Sequence, residues 1–372
     1  MTARLAAAFA LGFAVLGVSH AAGAEPLDPA LERFVTNPGC KTASGVYLGG
    51  SFSGGTTEPC HPDQASFVKL VSQFGYALAP SAMHSARTTG WGGFHLSMEA
   101  SYATISGNKS YWKNGTQGAV NPNTNAFSQQ NSSVPGVLQN YSLKFRKGFG
   151  FGLELTGVVG FVPQTSIISG GADVRISLFE GFRTGIPGYI PDVAVGAGVR
   201  TITGTSQFQL TVMGLDGQIS KPIPIADSSN ITPWLGYQYL FIYGDSGLID
   251  LTPGTDAVQA CNYSGPAIPG NADPNKTAAV NGTDVHQYDG GPVCRGGQPD
   301  DFNNNTVFDP VRLRRHRLLA GVSYRYEMVM VGGQFGMDLV PPASAQPDAE
   351  NTAILGGEDR QYTVAFELGA MF

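Results

Sequence analysis

The final residues, Gln361 to Phe372, alternate with a period of two. Tyr362, Val364, Phe366, Leu368, Ala370 and Phe372 fall on one side, and mostly polar or small residues, Glu367 among them, on the other. Side chains along a strand point alternately to opposite faces, so this pattern describes a sheet with one apolar face. Similar segments recur upstream: Phe94–Tyr102, Val137–Arg146, Phe151–Val159, Val174–Leu178, Val193–Val199, Phe208–Val212, Ile231–Tyr243, Leu318–Tyr326 and Val331–Leu339. Each is assigned an outward apolar face, including Phe208, Leu210 and Val212. The phase breaks after Val212, so Met213–Asp216 requires a bulge, and Trp234 falls on the nominally polar face.

Composition narrows the class. Only 13% of residues are charged and 50 of 372 are Gly, against roughly 25% charged and ~7% Gly in ordinary soluble domains. A mean hydropathy of −0.04 is too low for a helical membrane bundle. The aromatic content of 10% argues against disorder. A net charge of −6 with a pI near 5.5 argues against nucleic acid as a partner.

Residues 1–24 read as an export signal. Arg4 precedes an apolar run from Leu5 to Val18, and Ala22-Gly23-Ala24 fits a cleavage site, expected after Ala24. The run is shorter than the ~20 residues a spanning helix needs. Four cysteines suit an oxidising compartment and allow three pairings. The local one, Cys40–Cys60 with Cys261–Cys294, is expected. No Cys-x-x-Cys occurs, so a metal site is not expected.

A terminal strand ending on Phe372, behind an export signal and repeated alternation, resembles the Gram-negative outer-membrane β-barrel proteins. The resemblance spans roughly Thr89 to Phe372. It implies reading of the C-terminal strand by the barrel assembly machinery and residence in the cell outer membrane. The expected fold is all-β: an antiparallel up-and-down transmembrane β-barrel of about ten strands, eight to twelve, over 89–372. External connections fall near 106–134, 163–169, 202–206, 244–311 and 341–357, with shorter turns opposite, which fits the long-outside rule for such barrels except at 202–206.

The 25–88 region differs. Residues 25–62 read as loop. Asp63 can cap a helix near 63–79 carrying Phe67, Leu70, Val71, Phe74 and Leu78, ended by Pro80. This segment is expected as a periplasmic element or a plug, either blocking the barrel or packed beneath it.

Parity sends His95, Glu99, Lys144, Arg146, Glu154, Asp173, Arg175, Arg200, Arg325, Asp338 and Glu367 to the interior, with Arg315 and Arg317. Mixed signs in a narrow lumen suggest mutual neutralisation, or a weakly anion-preferring constriction. Arg312, Arg314 and His316 take the outward parity above the apolar part of their strand. They form a rim suited to lipopolysaccharide phosphates among the outer-membrane lipids. Asp301, Asn303 and Asn305 echo the start of a calcium loop, but Thr306 replaces the Gly and Arg312 the final Glu, so a polar loop is expected. No Gly-x-Ser-x-Gly, His-Glu-x-x-His or phosphate loop is present, and neither enzyme activity nor a cofactor is expected. The leading expectation is a narrow or gated channel for a small solute. The alternatives are an occluded barrel with an adhesin-like surface role, and uptake of a hydrophobic ligand.

Overall fold

The computed structural model describes residues 25–36, 61–119, 130–181, 190–226, 228–251, 305–339, 355 and 358–372, with short paired backbone segments between 261 and 294. The export signal, Cys40 and Cys60, and Asp301 and Asn303 lie outside the described residues. Cys261 and Cys294 stand opposite one another in a two-stranded antiparallel pairing of the backbone.

Ten long strands close into an antiparallel barrel. They are β1 (Phe94–Thr104), β2 (Val137–Gly148), β3 (Leu153–Phe161), β4 (Ile168–Phe179) and β5 (Asp192–Thr203). The others are β6 (Phe208–Ser220), β7 (Ser229–Ser246), β8 (Val311–Tyr326), β9 (Val329–Asp338) and β10 (Tyr362–Met371). Each strand pairs with its neighbour in the chain, and β10 closes onto β1, with His95 opposite Met371. A short strand, Ile223–Ala226, folds back on β7. The connections 105–136, 247–310 and 339–361 gather at one end, here the long-loop end. Phe94 and Phe372 meet at the other, the short-turn end, through paired main-chain bonds of 3.0 and 2.7 Å.

The outer wall is an apolar band. Met98 and Leu368 are each 60% exposed, and Leu155, Val174, Ile176, Val195, Leu215, Val322, Val331, Val364 and Phe366 are exposed around the circumference. Such a continuous belt suits bilayer hydrocarbon rather than water. Tyr102, Tyr141 and Phe161 cluster near its upper edge, with rings 5.6 to 6.3 Å apart.

Two sequence assignments need correction. No bulge follows Val212: β6 pairs in unbroken register with β7 from Phe208 to Ser220 and with β5 from Thr211 to Ser220. Phe208, Leu210 and Val212 therefore face inward and are buried, while Met213, Leu215 and Ile219 face out. Near the long-loop end the interior of the wall is therefore apolar as well as the outer surface. Trp234 also points inward, against Gly321, where any Cβ would strike the indole.

The apolar interior is matched by a helix. Helix α1 (Gln64–Ala77) is capped by Asp63, whose Oδ1 accepts from Ser66 N at 3.1 Å. Phe67, Val68, Leu70, Val71, Phe74 and Tyr76 are all buried. The helix touches β1, β2, β6, β7 and β8, so it lies within the barrel rather than beneath it. Glycine permits this approach twice: Gly75 faces Ile242, and Gly244 on β7 faces Val71. A short helix α2 (Ser110–Asn114) brings Tyr111 and Trp112 over the same core.

Candidate functional site

The lumen is the candidate site, and the chain fills it in two layers. In the long-loop half the filling is apolar. Phe67 and Phe308 lie 4.9 Å apart between ring centroids, Phe74 and Trp112 4.8 Å, and Phe74 and Phe208 5.7 Å. Leu240, Ile242, Val311 and Leu313 of the wall join them. One polar knot ties this layer down: Gln73 accepts from Trp112 Nε1 at 2.6 Å and donates to Tyr111 Oη at 2.8 Å. Tyr111 donates onward to Glu358 at 2.5 Å, and burial together with that bond holds its phenol above the ordinary tyrosine range.

Residues 78–93 then run down the short-turn half as an extended strap bound by wall side chains. Pro80 O accepts from Gln238 Nε2 at 3.1 Å and from Arg317 at 2.6 Å. Ala82 O accepts from Gln218 at 2.9 Å, and Ser85 O from Arg175 at 3.2 Å. Ala86 N donates to Ser220 at 3.0 Å, Thr88 N to Glu180 at 3.0 Å and Thr89 N to Glu154 at 2.8 Å. Backbone polar groups in a closed lumen need such partners.

The inward charges pair across this layer. Arg200 grips Asp173 with two bonds of 2.7 and 2.8 Å. Lys144 pairs with Glu99, and Ser81 donates to both Glu99 oxygens at 2.9 and 2.8 Å. Arg146 lies 3.4 Å from Glu154 and 3.7 Å from Glu367, with His84 also 3.7 Å from Glu154. His95 Nδ1 sits 3.8 Å from Glu367 and 3.2 Å from Arg146. Arg175 meets Asp216 at 3.2 Å. One further pair lies higher, against α1: Arg315 donates to Ser72 O at 3.1 Å, pairs with Asp338 and lies 4.3 Å from the Tyr76 ring centroid.

Arg325 departs from the expected interior set. It is exposed at the short-turn mouth, where Nε donates to Glu327 O at 2.9 Å. Sequence reasoning missed Asp216 and Gln218, which lie beyond the expected Phe208–Val212 segment, and gave Gln238 no role because an uncharged wall residue carries no signal. It also missed Ser81 and His84, which belong to the strap. Among the described residues no His/Cys/Asp/Glu group could hold a metal ion.

The expected rim is outward. Arg314 lies 6.0 Å from the Phe241 ring centroid. His316 bonds Tyr237 Oη through Nδ1 at 2.5 Å and packs 4.8 Å from the Tyr239 ring. Arg312 and Arg314 are exposed, and no carboxylate among the described residues forms an ion pair with either.

No protein-family model and no curated protein matches the chain. The solved structures similar to it are outer-membrane β-barrels. Ail, the attachment invasion locus protein of Yersinia pestis, is 8% identical at a TM-score of 0.23, covering 76% of this chain and 99% of that one. The KdgM porin in complex with disordered oligogalacturonate is 7% identical at 0.24, covering 73% and 97%. The Acinetobacter baumannii outer membrane protein Omp33 is 7% identical at 0.24, covering 76% and 98%.

Proposed function

We propose that this protein is an outer-membrane β-barrel held shut by its own N-terminal segment, with its working surface on the long-loop face. The observation that carries this reading is the continuous filling of the lumen from Asp63 to Thr89. Burying one large apolar side chain contributes about 1.5–3 kcal/mol, so seating Phe67, Leu70, Val71 and Phe74 alone contributes on the order of 10 kcal/mol. Thermal fluctuation does not withdraw such a plug, and a passive solute path is disfavoured. The band of exposed aliphatics supports membrane residence, and the apolar outward face of the closing strand, Tyr362, Val364, Phe366 and Leu368, supports handling by the barrel assembly machinery.

Reconstitution into planar bilayers tests the reading. The intact chain gives no stable current steps. Sustained conductance from the intact chain contradicts it.

A gated channel is the second reading, favoured by the short-turn half alone. There the strap is held by hydrogen bonds and an ion pair rather than by apolar packing, and His95 Nε2 is buried without a hydrogen-bond partner among the described residues. On that reading the strap moves while α1 stays. Arg312 and Arg314, exposed and without a carboxylate partner among the described residues, support binding of lipopolysaccharide phosphates beside His316, since the guanidinium fork suits phosphate oxygens. Arg312→Gln with Arg314→Gln then lowers the lipopolysaccharide that copurifies with the barrel.

A further inference from the structure

We infer that residues 25–36 form a head displayed on the outer surface of the membrane, and that the chain reaches it through the lumen of its own barrel. The inference rests on the outer-membrane reading above and adds where the N-terminal segment lies and how it gets there.

The path of the chain is the first observation. Strand β1 starts at the short-turn end, where Phe94 pairs with Phe372. Going backward along the sequence, the strap climbs from Thr89 beside Glu154 to Pro80 beside Gln238. Helix α1 then rises to Gln64, whose side chain bonds Asp309 O at 2.9 Å at the long-loop end. The helix has 14 residues; at 1.5 Å each it spans about 21 Å, and the extended strap takes the total beyond the ~25 Å apolar band of such barrels. The two ends of this segment therefore lie on opposite sides of the hydrocarbon.

The docking of the head is the second. Leu27 N donates to Gln164 O at 2.8 Å, Asp28 Oδ1 accepts from Ser166 N at 2.7 Å, and Arg33 donates to Thr116 O at 2.8 Å. Leu27, Leu31 and Phe34 are buried in the core that caps the barrel. All three partners belong to connections at the long-loop end of the barrel, Gln164 and Ser166 between β3 and β4 and Thr116 between β1 and β2.

The manner of binding is the third. The wall holds the strap largely through main-chain atoms, the carbonyls of Pro80, Ala82 and Ser85 and the amides of Ala86, Thr88 and Thr89. Main-chain recognition is indifferent to side-chain identity, as strand addition illustrates. A lumen built this way accepts an extended polypeptide of many sequences, which is what a conduit for the chain's own head requires.

The test places one epitope at each of three positions in otherwise unaltered chains: before Glu25, between Thr205 and Ser206 on the long-loop side, and between Glu327 and Met328 on the short-turn side. Antibody binding is measured on intact cells and after outer-membrane permeabilisation. The inference expects the first two epitopes to be read on intact cells with no gain on permeabilisation, and the third only afterwards. If the 205/206 epitope is read on intact cells while the one before Glu25 is not, the display inference falls and the outer-membrane reading stands. If only the 327/328 epitope is read on intact cells, the barrel is oriented the other way and both fall.

Discussion

The two halves of the lumen solve one problem with different chemistry. In the long-loop half, α1 meets Phe208, Leu240 and Ile242 through aromatic and aliphatic contact, with Gln73 and Arg315 as the polar ties. In the short-turn half, an extended strap meets Arg175, Glu154 and Glu99 through hydrogen bonds and an ion pair. A helix satisfies its own backbone and can present an apolar surface. An extended segment cannot, so its wall must be polar. The switch from helix to strap at Leu78–Pro80 thus dictates the switch in the wall's inward face. Apolar contact holds a shape without specific partners, whereas buried charge is stable only while each partner stays in place.

The contrast can be broken by substitution. The largest effect is expected for Trp112→Ala, which empties space against Phe74 and frees Gln73. It costs about 3–5 kcal/mol, read as a lower urea midpoint for unfolding in detergent. Arg146→Met comes next: it strands Glu154 and Glu367 and costs about 3 kcal/mol by the same assay. Adding Glu367→Leu to it recovers part of that loss, because one buried charge no longer lacks a partner. If Trp112→Ala and Arg146→Met were equally rescued by apolar replacement of their neighbours, the halves would not differ as described.

A smaller effect is expected from pH at the cap. Tyr111 is held protonated by burial and by Glu358. Its folded-state pKa exceeds the unfolded value near 10, so this contribution is constant below about pH 10 and lost as pH rises further. Proteolysis of the long-loop cap should accelerate as pH rises above about 10 in the native chain, and less so in Tyr111→Phe. The smallest effect belongs to the outer rim. Arg314→Gln, at an exposed position beside the Phe241 ring, should shift stability by no more than about 0.5 kcal/mol.

Most of the barrel was legible because lipid and lumen impose opposite demands on alternate residues. Tyr362 to Leu368 and Val174 to Leu178 show this directly, and both face outward as their alternation indicates. Helix α1 was legible from the spacing of Phe67, Leu70, Val71 and Phe74 and from the Asp63 cap. Its position was not, since an amphipathic period says that an apolar face must be covered but not by what. The same blind spot explains Phe208, Leu210 and Val212. Their alternation was read correctly, but a polar lumen was assumed, and α1 inverts that assumption. The charged partners on the wall were visible by parity, whereas the strap that binds them lacked any period. Residues such as Ser81 and Ala82 carry no signal until the backbone places them beside Glu99 and Gln218.

Backbone hydrogen exchange on the native chain in lipid nanodiscs addresses the filled lumen most directly. The amides of Leu70 to Tyr76, and those of Ala86, Thr88 and Thr89, should exchange as slowly as those of β1 and β10. Exchange of these amides at the rate of an exposed peptide, with the barrel strands still protected, would show an open lumen and contradict the account.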